Sequence, residues 1–519
     1  MSGLVTVYNK QGVMENPEIN LDFENMFRLI QHRGPDLYGK LKNEKILMAQ
    51  NYLKGDVFLR EQDIKVGQGW KVPVVGSNSH HLWICYDGQV GNYKELCHHF
   101  SISEGYFQEE RLFLQLYTEY GTRMFEFIDD AIFAFIIFDG KNIFSARDLL
   151  GIKTLFYGNK NGTLYFASEL KCLAQVTDYF YEFPPGHFMD TNGQIKRFAE
   201  LPRRPSRILK AKPEEMTQTI QDIISRSFAN RVNCKAQTGT LLSGGIDSSV
   251  IAWLASEALQ NKPGSDKKFQ TFAVGVKESE DIKQARLVAS HINSEHHELI
   301  VGLDELLDAL PHVIWHLESF DPSLVRSAIS NYLISKYAKE KGIEVILSGE
   351  GGDELFCGYR YLKDFSTQQL FGRQMECLGF LHNNASLRLD RMNLCHSIKV
   401  VAPLISGELL QYALKIPIEY KLKPKGREKI EKWIFRKAFE KVLPSEIVWR
   451  TKQEFSQGSG SANVLTDYFE KMVKDDELQI FRAENPMVRS KEELYYFRIF
   501  TAHFGGGRAV DTVGQWISL

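Results

Sequence analysis

The sequence predicts two domains: a layered α+β domain over residues 1–205, and over residues 206–519 an α/β domain with a parallel sheet and a helical cap. Three observations lead to this. Short β-patterned runs fill the first two hundred residues. A proline-broken basic stretch, Leu201-Pro202-Arg203-Arg204-Pro205-Ser206-Arg207, then reads as a linker, and from Lys212 β and α segments alternate. A length of 519 residues suits two or three domains with well-buried cores.

In the first half, strands are expected at Gly3–Tyr8, Lys45–Ala49, Leu82–Tyr86, Ala131–Phe138, Asn142–Ala146 and Thr163–Ala167, with helices near 21–32 and 109–120. This mixture fits sheets layered against helices. In the second half, a long amphipathic helix opens at Lys212. The alternation then runs Gln237–Leu242, Ser248–Leu259, Gln270–Val276, Asp281–Asn293, His296–Val301, Leu303–Leu317, Arg326–Lys341 and Glu344–Leu347. Such a succession implies a parallel sheet with helices on both faces. Beyond residue 380 the pattern turns mostly helical, as a cap over the sheet's active edge would.

Composition excludes several classes of function. Sixty-three basic residues against 65 acidic ones leave no polyanion-binding excess, so nucleic acid is not an expected partner. The seven cysteines, at 85, 97, 172, 234, 357, 377 and 395, are odd in number and lack CxxC spacing, which argues for a reducing compartment and against zinc. No run of about eighteen apolar residues occurs, and MSGLVTVYNK does not read as a targeting segment. The expectation is a cytoplasmic protein without a membrane partner.

The chemistry concentrates in two loops. Leu241-Leu242-Ser243-Gly244-Gly245-Ile246-Asp247-Ser248-Ser249 runs from an apolar strand end through a small-residue turn into a helix. Gly244 and Gly245 let backbone N–H groups approach an anion, Ser243, Ser248 and Ser249 add hydroxyl donors, and the helix dipole favours negative charge. Asp247 is then left to hold a metal. A plain strand-to-helix turn would read the same way in isolation. A hundred residues later, Val345-Ile346-Leu347-Ser348-Gly349-Glu350-Gly351-Gly352-Asp353-Glu354-Leu355-Phe356 repeats the design, and two such loops at the carboxyl ends of parallel strands share one crevice.

With both loops in view, the chain resembles the glutamine-dependent asparagine synthetases and their relatives, the β-lactam synthetases. The resemblance covers nearly the whole length. It includes His32-Arg33-Gly34-Pro35-Asp36, Ala146-Arg147-Asp148 with Gly151, Phe166-Ala167-Ser168-Glu169, and Trp449-Arg450-Thr451-Lys452-Gln453-Glu454-Phe455-Ser456. It implies an N-terminal Ntn-hydrolase-like domain in αββα layers and a C-terminal PP-loop synthetase domain of the adenine nucleotide alpha hydrolase type. It also implies ATP and Mg²⁺ as cofactors, and an activity in which a carboxylate is adenylylated and then attacked by an amine.

The resemblance distributes roles along the chain. Asp247 and Asp353 match the family's magnesium-holding carboxylates. Leu242 and Val274 match positions that frame adenine, and Gly349 lies where backbone meets the nucleotide. Lys452 matches the lysine that answers charge developing in the adenylate, and Lys432 a second phosphate-side lysine. Glu350 matches the glutamate that takes a proton from attacking ammonia, where β-lactam synthetases carry a tyrosine. Glu318, Asp321 and Arg326 resemble the acceptor-side segment, with a helix cap and ion pairs as the structural alternative. Asp281 reads as a helix N-cap and stays outside the predicted site.

The N-terminal half departs from the family. Position 2 is serine where the family has its nucleophilic cysteine. Ala49-Gln50-Asn51-Tyr52-Leu53 stands where an A-H-E-R-L pattern carries the carboxylate-binding arginine, and Asp87-Gly88-Gln89-Val90-Gly91-Asn92 where N-G-E-I-Y-N carries the oxyanion-hole asparagine. Phe107-Gln108-Glu109 stands for the G-S-D that grips the substrate amine. The expected outcome is a domain without glutaminase activity, kept as a scaffold. Near the acceptor, V-E-A-R-V-P-F-L-D has become Ile398-Lys399-Val400-Val401-Ala402-Pro403-Leu404-Ile405-Ser406, which removes an arginine and an aspartate and puts aspartate itself in question.

The sequence therefore points to an AMP-forming amide synthetase with a small carboxylate and ammonia or another amine as substrates, acting in specialised metabolism. Homodimerisation is the family's expected assembly. Intramolecular amide closure, as in β-lactam synthetases, and a regulatory paralogue without catalysis are the alternatives.

Overall fold

The structure, a computed structural model, describes residues 2–53, 70–72, 75–77, 81–103, 105, 107–205, 207–234, 237–260, 267–277, 279–426 and 428–516; Ser206 of the linker lies outside them. The chain forms two compact units, Met1–Leu201 with Phe504–Thr512, and Pro202–His503 with Val513–Leu519.

The first unit contains two sheets. One has seven strands in the order Phe180–Glu182, Phe156–Lys160, Thr163–Ala167, Ser2–Tyr8, Ile46–Tyr52, Leu37–Lys42 and Trp70–Val72. The other has six, in the order Ile195–Arg197, His187–Met189, Ile143–Arg147, Ala131–Phe138, Leu82–Val90 and Val75–Ser77. The strand Ala131–Phe138 explains the layering, because it is apolar on both faces. Ala134, Ile136 and Phe138 meet Leu4, Ile46, Met48 and Phe166 of the other sheet, whereas Phe133, Phe135 and Ile137 pack with Leu112, Phe113 and Leu116 of the helix Gln108–Tyr120. The helix Pro17–Leu29, capped by Asn16, buries Ile19, Phe23, Met26 and Phe27. The result is αββα layers.

The second unit is built on five parallel strands in the order Glu295–Ile300, Gln270–Gly275, Thr238–Leu241, Val345–Leu347 and Lys399–Val401. The first strand in sequence lies in the middle, and the chain departs from it to one side and later returns to the other. Thr238–Leu241 and Val345–Leu347 are therefore neighbours at a topological switch point, and their two following loops open into the same crevice. Beyond residue 380 the chain is mostly helical, as expected, and Lys399–Val401 is a strand within that region. At three residues it is too short to show a period, yet it pairs with Val345–Leu347 in register. A hairpin, Leu422–Lys425 with Glu428–Glu431, adds a further β element. All seven cysteines are free thiols. Among the described residues no helix is long and apolar enough to cross a membrane.

Candidate functional site

The cleft of the second unit begins where Leu242 N–H donates to Phe272 O at 2.8 Å and the chain leaves the sheet. Gly244 turns with φ +68°, and a Cβ there would lie 2.4 Å from Gln284 Cβ, so both conformation and space require glycine. The helix Ile246–Gln260 follows at once, directing its first N–H groups at the loop. Ser243, Gly245, Asp247 and Ser248 line the cleft. Ser249, predicted as a phosphate donor, is buried and its Oγ donates to Gly245 O at 2.8 Å, closing the first helical turn instead.

The second loop touches the first. A Cβ on Gly349 would fall 2.5 Å from the backbone carbon of Asp247, so the two loops pack backbone to backbone. This brings Asp247 and Asp353 onto one ammonium. Lys432 Nζ contacts Asp247 Oδ2 and lies 2.7 Å from Asp353 Oδ1. Lys452 Nζ donates to Asp353 Oδ2 at 2.7 Å. Lys432 is wholly buried and holds a left-handed backbone, φ +55°, at the start of the helix Trp433–Phe439. Behind it Glu431 accepts from Lys452 N at 3.1 Å and from Arg436 Nη2 at 2.7 Å, which fixes the backbone on either side of the lysine pair.

Electrostatics follow from this packing. Burial opposes ionisation of Asp353, but Lys432 and Lys452 outweigh it and hold the carboxyl well below its usual range. Burial likewise works against the Lys452 ammonium, but Asp353 and then Asp247 outweigh it and keep Lys452 charged well above neutral pH. Glu354, one residue on, lies against the charges of Asp353 and Glu350. Burial, reinforced by those charges, pushes it up to about 7, and its Oε1 accepts from Tyr359 Oη at 2.5 Å.

The residues present fit a magnesium ion. Asp247 Oδ1 is buried without a hydrogen-bond partner among the described residues, and a carboxylate oxygen is a hard ligand of the kind Mg²⁺ takes. No group of three or more His, Cys, Asp or Glu side chains that could hold a metal occurs among the described residues, so any divalent ion would complete its shell with phosphate and water, as Mg²⁺ usually does.

One wall is apolar. Leu242 and Val274, 1% and 3% exposed, line it with Phe272 and Ala273 at strand ends. Glu350 and Arg388, which also line the cleft, form an ion pair, and the Arg388 guanidinium lies 5.5 Å from the Phe455 ring centre. Buried Arg388 Nε has no partner among the described residues.

Glu318, Asp321 and Arg326 are not among the residues lining this cleft; each is engaged elsewhere. Glu318 ends the helix Leu303–Leu317 with φ +59° and pairs with Arg391 at 3.0 Å. Asp321 caps the helix Pro322–Glu340 through Leu324 N, and also accepts from Arg489 Nη2 at 2.8 Å and Trp516 N at 2.9 Å. Arg326 Nε donates to Glu492 Oε2 at 2.9 Å. Sequence reasoning missed Asp281, Arg388, Glu431 and Arg450. Asp281 is not the N-cap, which is Ser279; it is buried, lines the cleft and pairs with Arg450 at 2.9 Å. The signal was available in the spacing, since an N-cap precedes the first helical residue and Asp281 is the second.

In the first unit Ser2 is 3% exposed and its polar atoms are engaged. Its N–H donates to Asp87 Oδ1 at 3.1 Å, its hydroxyl donates to Tyr86 O at 2.9 Å, and the same hydroxyl accepts from Gln50 Nε2 at 2.9 Å. Asp87 is flanked by Arg33 at 3.2 Å and Lys153 at 3.3 Å. Asn51, in the stretch that replaces the arginine pattern, donates to Ile30 O at 2.6 Å and accepts from Gly3 N at 2.7 Å. Glu109 accepts from Tyr86 Oη at 2.7 Å.

Comparison with known proteins completes the site. A family model described as asparagine synthase matches residues 219–379 and 372–511, and one described as a glutamine amidotransferase domain matches residues 1–190. The chain is 31% identical to a probable glutamine-hydrolysing asparagine synthetase of Schizosaccharomyces pombe, across 95% of this chain and 92% of that one. Identity to the glutamine-hydrolysing asparagine synthetase 1 of Saccharomyces cerevisiae is 31%, covering 94% and 91%. For the enzyme of Gallus gallus it is 32%, covering 92% and 90%.

Proposed function

The chain belongs to the asparagine synthase family, and on that premise we propose that it amidates a small organic acid with ammonia or another amine and does not draw nitrogen from glutamine. Membership makes it an ATP-dependent carbon–nitrogen ligase that yields AMP and diphosphate. The observation that supports the cleft of the second unit as the reaction site is the convergence of Asp247 and Asp353, from two loops at a switch point, on Lys432 and Lys452.

In this reading the loop Ser243–Ser248 holds the β- and γ-phosphates, and Leu242 and Val274 flank the adenine. A carboxylate oxygen of the substrate attacks the α-phosphorus, the α–β bridging bond breaks, and diphosphate leaves. Lys452 balances the charge that builds on the phosphoryl oxygens, a contribution of about 3 kcal/mol for one well-placed donor. Asp247 and Asp353 would hold Mg²⁺, which neutralises phosphate charge and polarises the phosphorus when bound. The amine nitrogen then attacks the acyl carbon, the carbon–oxygen bond to AMP breaks, and Glu350 accepts the proton once it separates from Arg388.

The first unit supports the second half of the proposal. Catalysis by Ser2 needs a free hydroxyl, but its hydroxyl lies between Tyr86 O and Gln50. An oxyanion hole needs donors, and the Asp87 carboxylate is an acceptor whose charge is compensated by Arg33 and Lys153. The sequence change at 398–406 extends the proposal to acids other than aspartate and to specialised metabolism.

The test is AMP release across a panel of carboxylic acids, with ammonium or glutamine as nitrogen source. The expected result is AMP and diphosphate in step with amide, supported by ammonium and not by glutamine. ADP as product, or glutamine serving as well as ammonium, overturns it.

A further inference from the structure

We propose that Asp281 is a positioning residue for Lys452: it pins both ends of the segment Arg450–Ser459, so that the ammonium carried between them stays on Asp353. The proposal rests on the reading of this cleft as the synthetase site.

Asp281 sits in the first turn of the helix Glu280–His291 and is 4% exposed. Its Oδ1 accepts from Arg450 Nη2 at 2.9 Å. The other nitrogen of that guanidinium donates to Ser243 O at 3.2 Å, and Nη2 also reaches Gln453 Oε1 at 3.1 Å. Arg450 thus joins three things: the carboxylate, the phosphate loop and its own segment. At the far end Gly458 lies against the same carboxylate. A Cβ at 458 would fall 2.2 Å from Asp281 Oδ1 and 2.5 Å from Oδ2, so only glycine allows this approach. The next residue closes the segment, as Val276 N–H donates to Ser459 O at 2.8 Å. Between these anchors Lys452 is fixed at its backbone by Glu431 and at its tip by Asp353.

The charged groups facing Asp281 are Arg450 and Lys452 from the segment and Glu280 from its own helix. Burial pushes the Asp281 carboxyl up to about 6, with Arg450 opposing. The carboxylate is charged, and attracts Arg450 fully, above that value. As pH falls through about 6 it takes up a proton, and the near anchor weakens. A buried salt bridge of purely structural value would not tie the pH profile of turnover to this group.

Four single substitutions and one double variant test the proposal. Asp281→Ala and Gly458→Ala should each lower kcat for AMP formation about 10²-fold, the scale of a displacement of about 1 Å in a catalytic group, with KM for the acid nearly unchanged. In the double variant the alanine at 458 no longer meets a carboxylate, so its added effect should shrink to about twofold. Arg450→Lys keeps the charge but cannot bridge Asp281 and Ser243 O, and an intermediate loss is expected. Asp281→Asn, nearly the same size, should remove the fall in kcat below about pH 6. Selective acylation of Lys452, followed by mass spectrometry, should be faster in Asp281→Ala whether or not turnover is measured. Unchanged acylation and turnover in Asp281→Ala, or fully additive losses in the double variant, overturn the proposal. A wild-type protein without acid-dependent AMP release overturns the functional reading alone, and the acylation rates still decide the role of Asp281.

Discussion

Two charged clusters occupy strand ends in this molecule, and they differ in where their polar atoms point. Asp247, Asp353 and Lys452 line a cleft, and Asp247 Oδ1 is a buried carboxylate oxygen without a hydrogen-bond partner among the described residues. Around Ser2 the hydroxyl, the backbone N–H, Gln50 and Asn51 are satisfied by one another, by the Asp87 carboxylate or by nearby backbone. Buried polar groups carry a penalty unless paired, so an unsatisfied atom in an otherwise well-packed core marks a place shaped for something absent. The engagement around Ser2 does not extend to the whole stretch, since Tyr52 Oη, on the residue that faces Ser2 across the strand pair, and Asn92 Oδ1 are buried without a hydrogen-bond partner among the described residues. The engaged Ser2 hydroxyl and the open Asp247 Oδ1 are the observations on which the proposed loss of glutamine use and the proposed reaction site respectively rest.

The largest effect that would break this contrast is at Lys452. Lys452→Ala should lower acid-dependent AMP formation about 10³-fold, the upper range for loss of one transition-state donor. Lys432→Ala should be as severe and should also destabilise the protein, because it leaves Asp247 and Asp353 facing each other, whereas Lys452→Ala leaves Asp353 paired to Lys432. Steady-state AMP release together with thermal melts separates the two. If Lys452→Ala retained turnover, the cleft would not be the reaction site.

A second effect lies in the first unit and should appear in stability without touching the chemistry. Asp87→Ala removes the carboxylate between Arg33 and Lys153, and breaking one partner of a buried ion pair costs about 3 to 5 kcal/mol. Arg33 keeps Glu169 at 3.0 Å, which places the expectation toward the lower value. Denaturant unfolding measures it. Ammonium-dependent amide formation per folded molecule should be unchanged, and a parallel loss of turnover would mean that the first unit contributes more than a scaffold.

The same contrast explains what the sequence made legible. The strand and helix around Ser243–Ser249 were readable because apolar runs and small residues impose local geometry, and the parallel order followed from alternation. Lys399–Val401 was not, since three residues carry no period and only pairing with Val345–Leu347 defines them. The convergence of Asp247, Asp353, Lys432 and Lys452 was anticipated through the resemblance rather than through spacing. Glu318, Asp321 and Arg326 show the limit of that route. Their partners Arg391, Arg489 and Glu492 lie 73, 168 and 166 positions away, and no local pattern announces an ion pair at such separation. Ser248 and Ser249 show a different limit: a serine early in a helix can serve a ligand or turn back onto a carbonyl, and here both hydroxyls turn onto Gly245 O.

The smallest predicted effect sharpens the comparison most, because it separates a nucleophile from a structural hydroxyl. Ser2→Ala deletes a donor to Tyr86 O and an acceptor from Gln50 Nε2. Two hydrogen bonds are lost, each worth about 0.5 to 1.5 kcal/mol, while Tyr86 O and Gln50 keep their contact with each other. A serine nucleophile would make itself known differently: its removal would abolish any glutamine hydrolysis and leave stability almost untouched. The expected outcome is the reverse, a small drop in melting temperature, no glutamine turnover in either protein, and identical amide formation with ammonium. Glutamine hydrolysis in the wild type that disappears in Ser2→Ala would return catalysis to the first unit, and the packing of Ser2 between Tyr86 and Gln50 would then have to open during turnover.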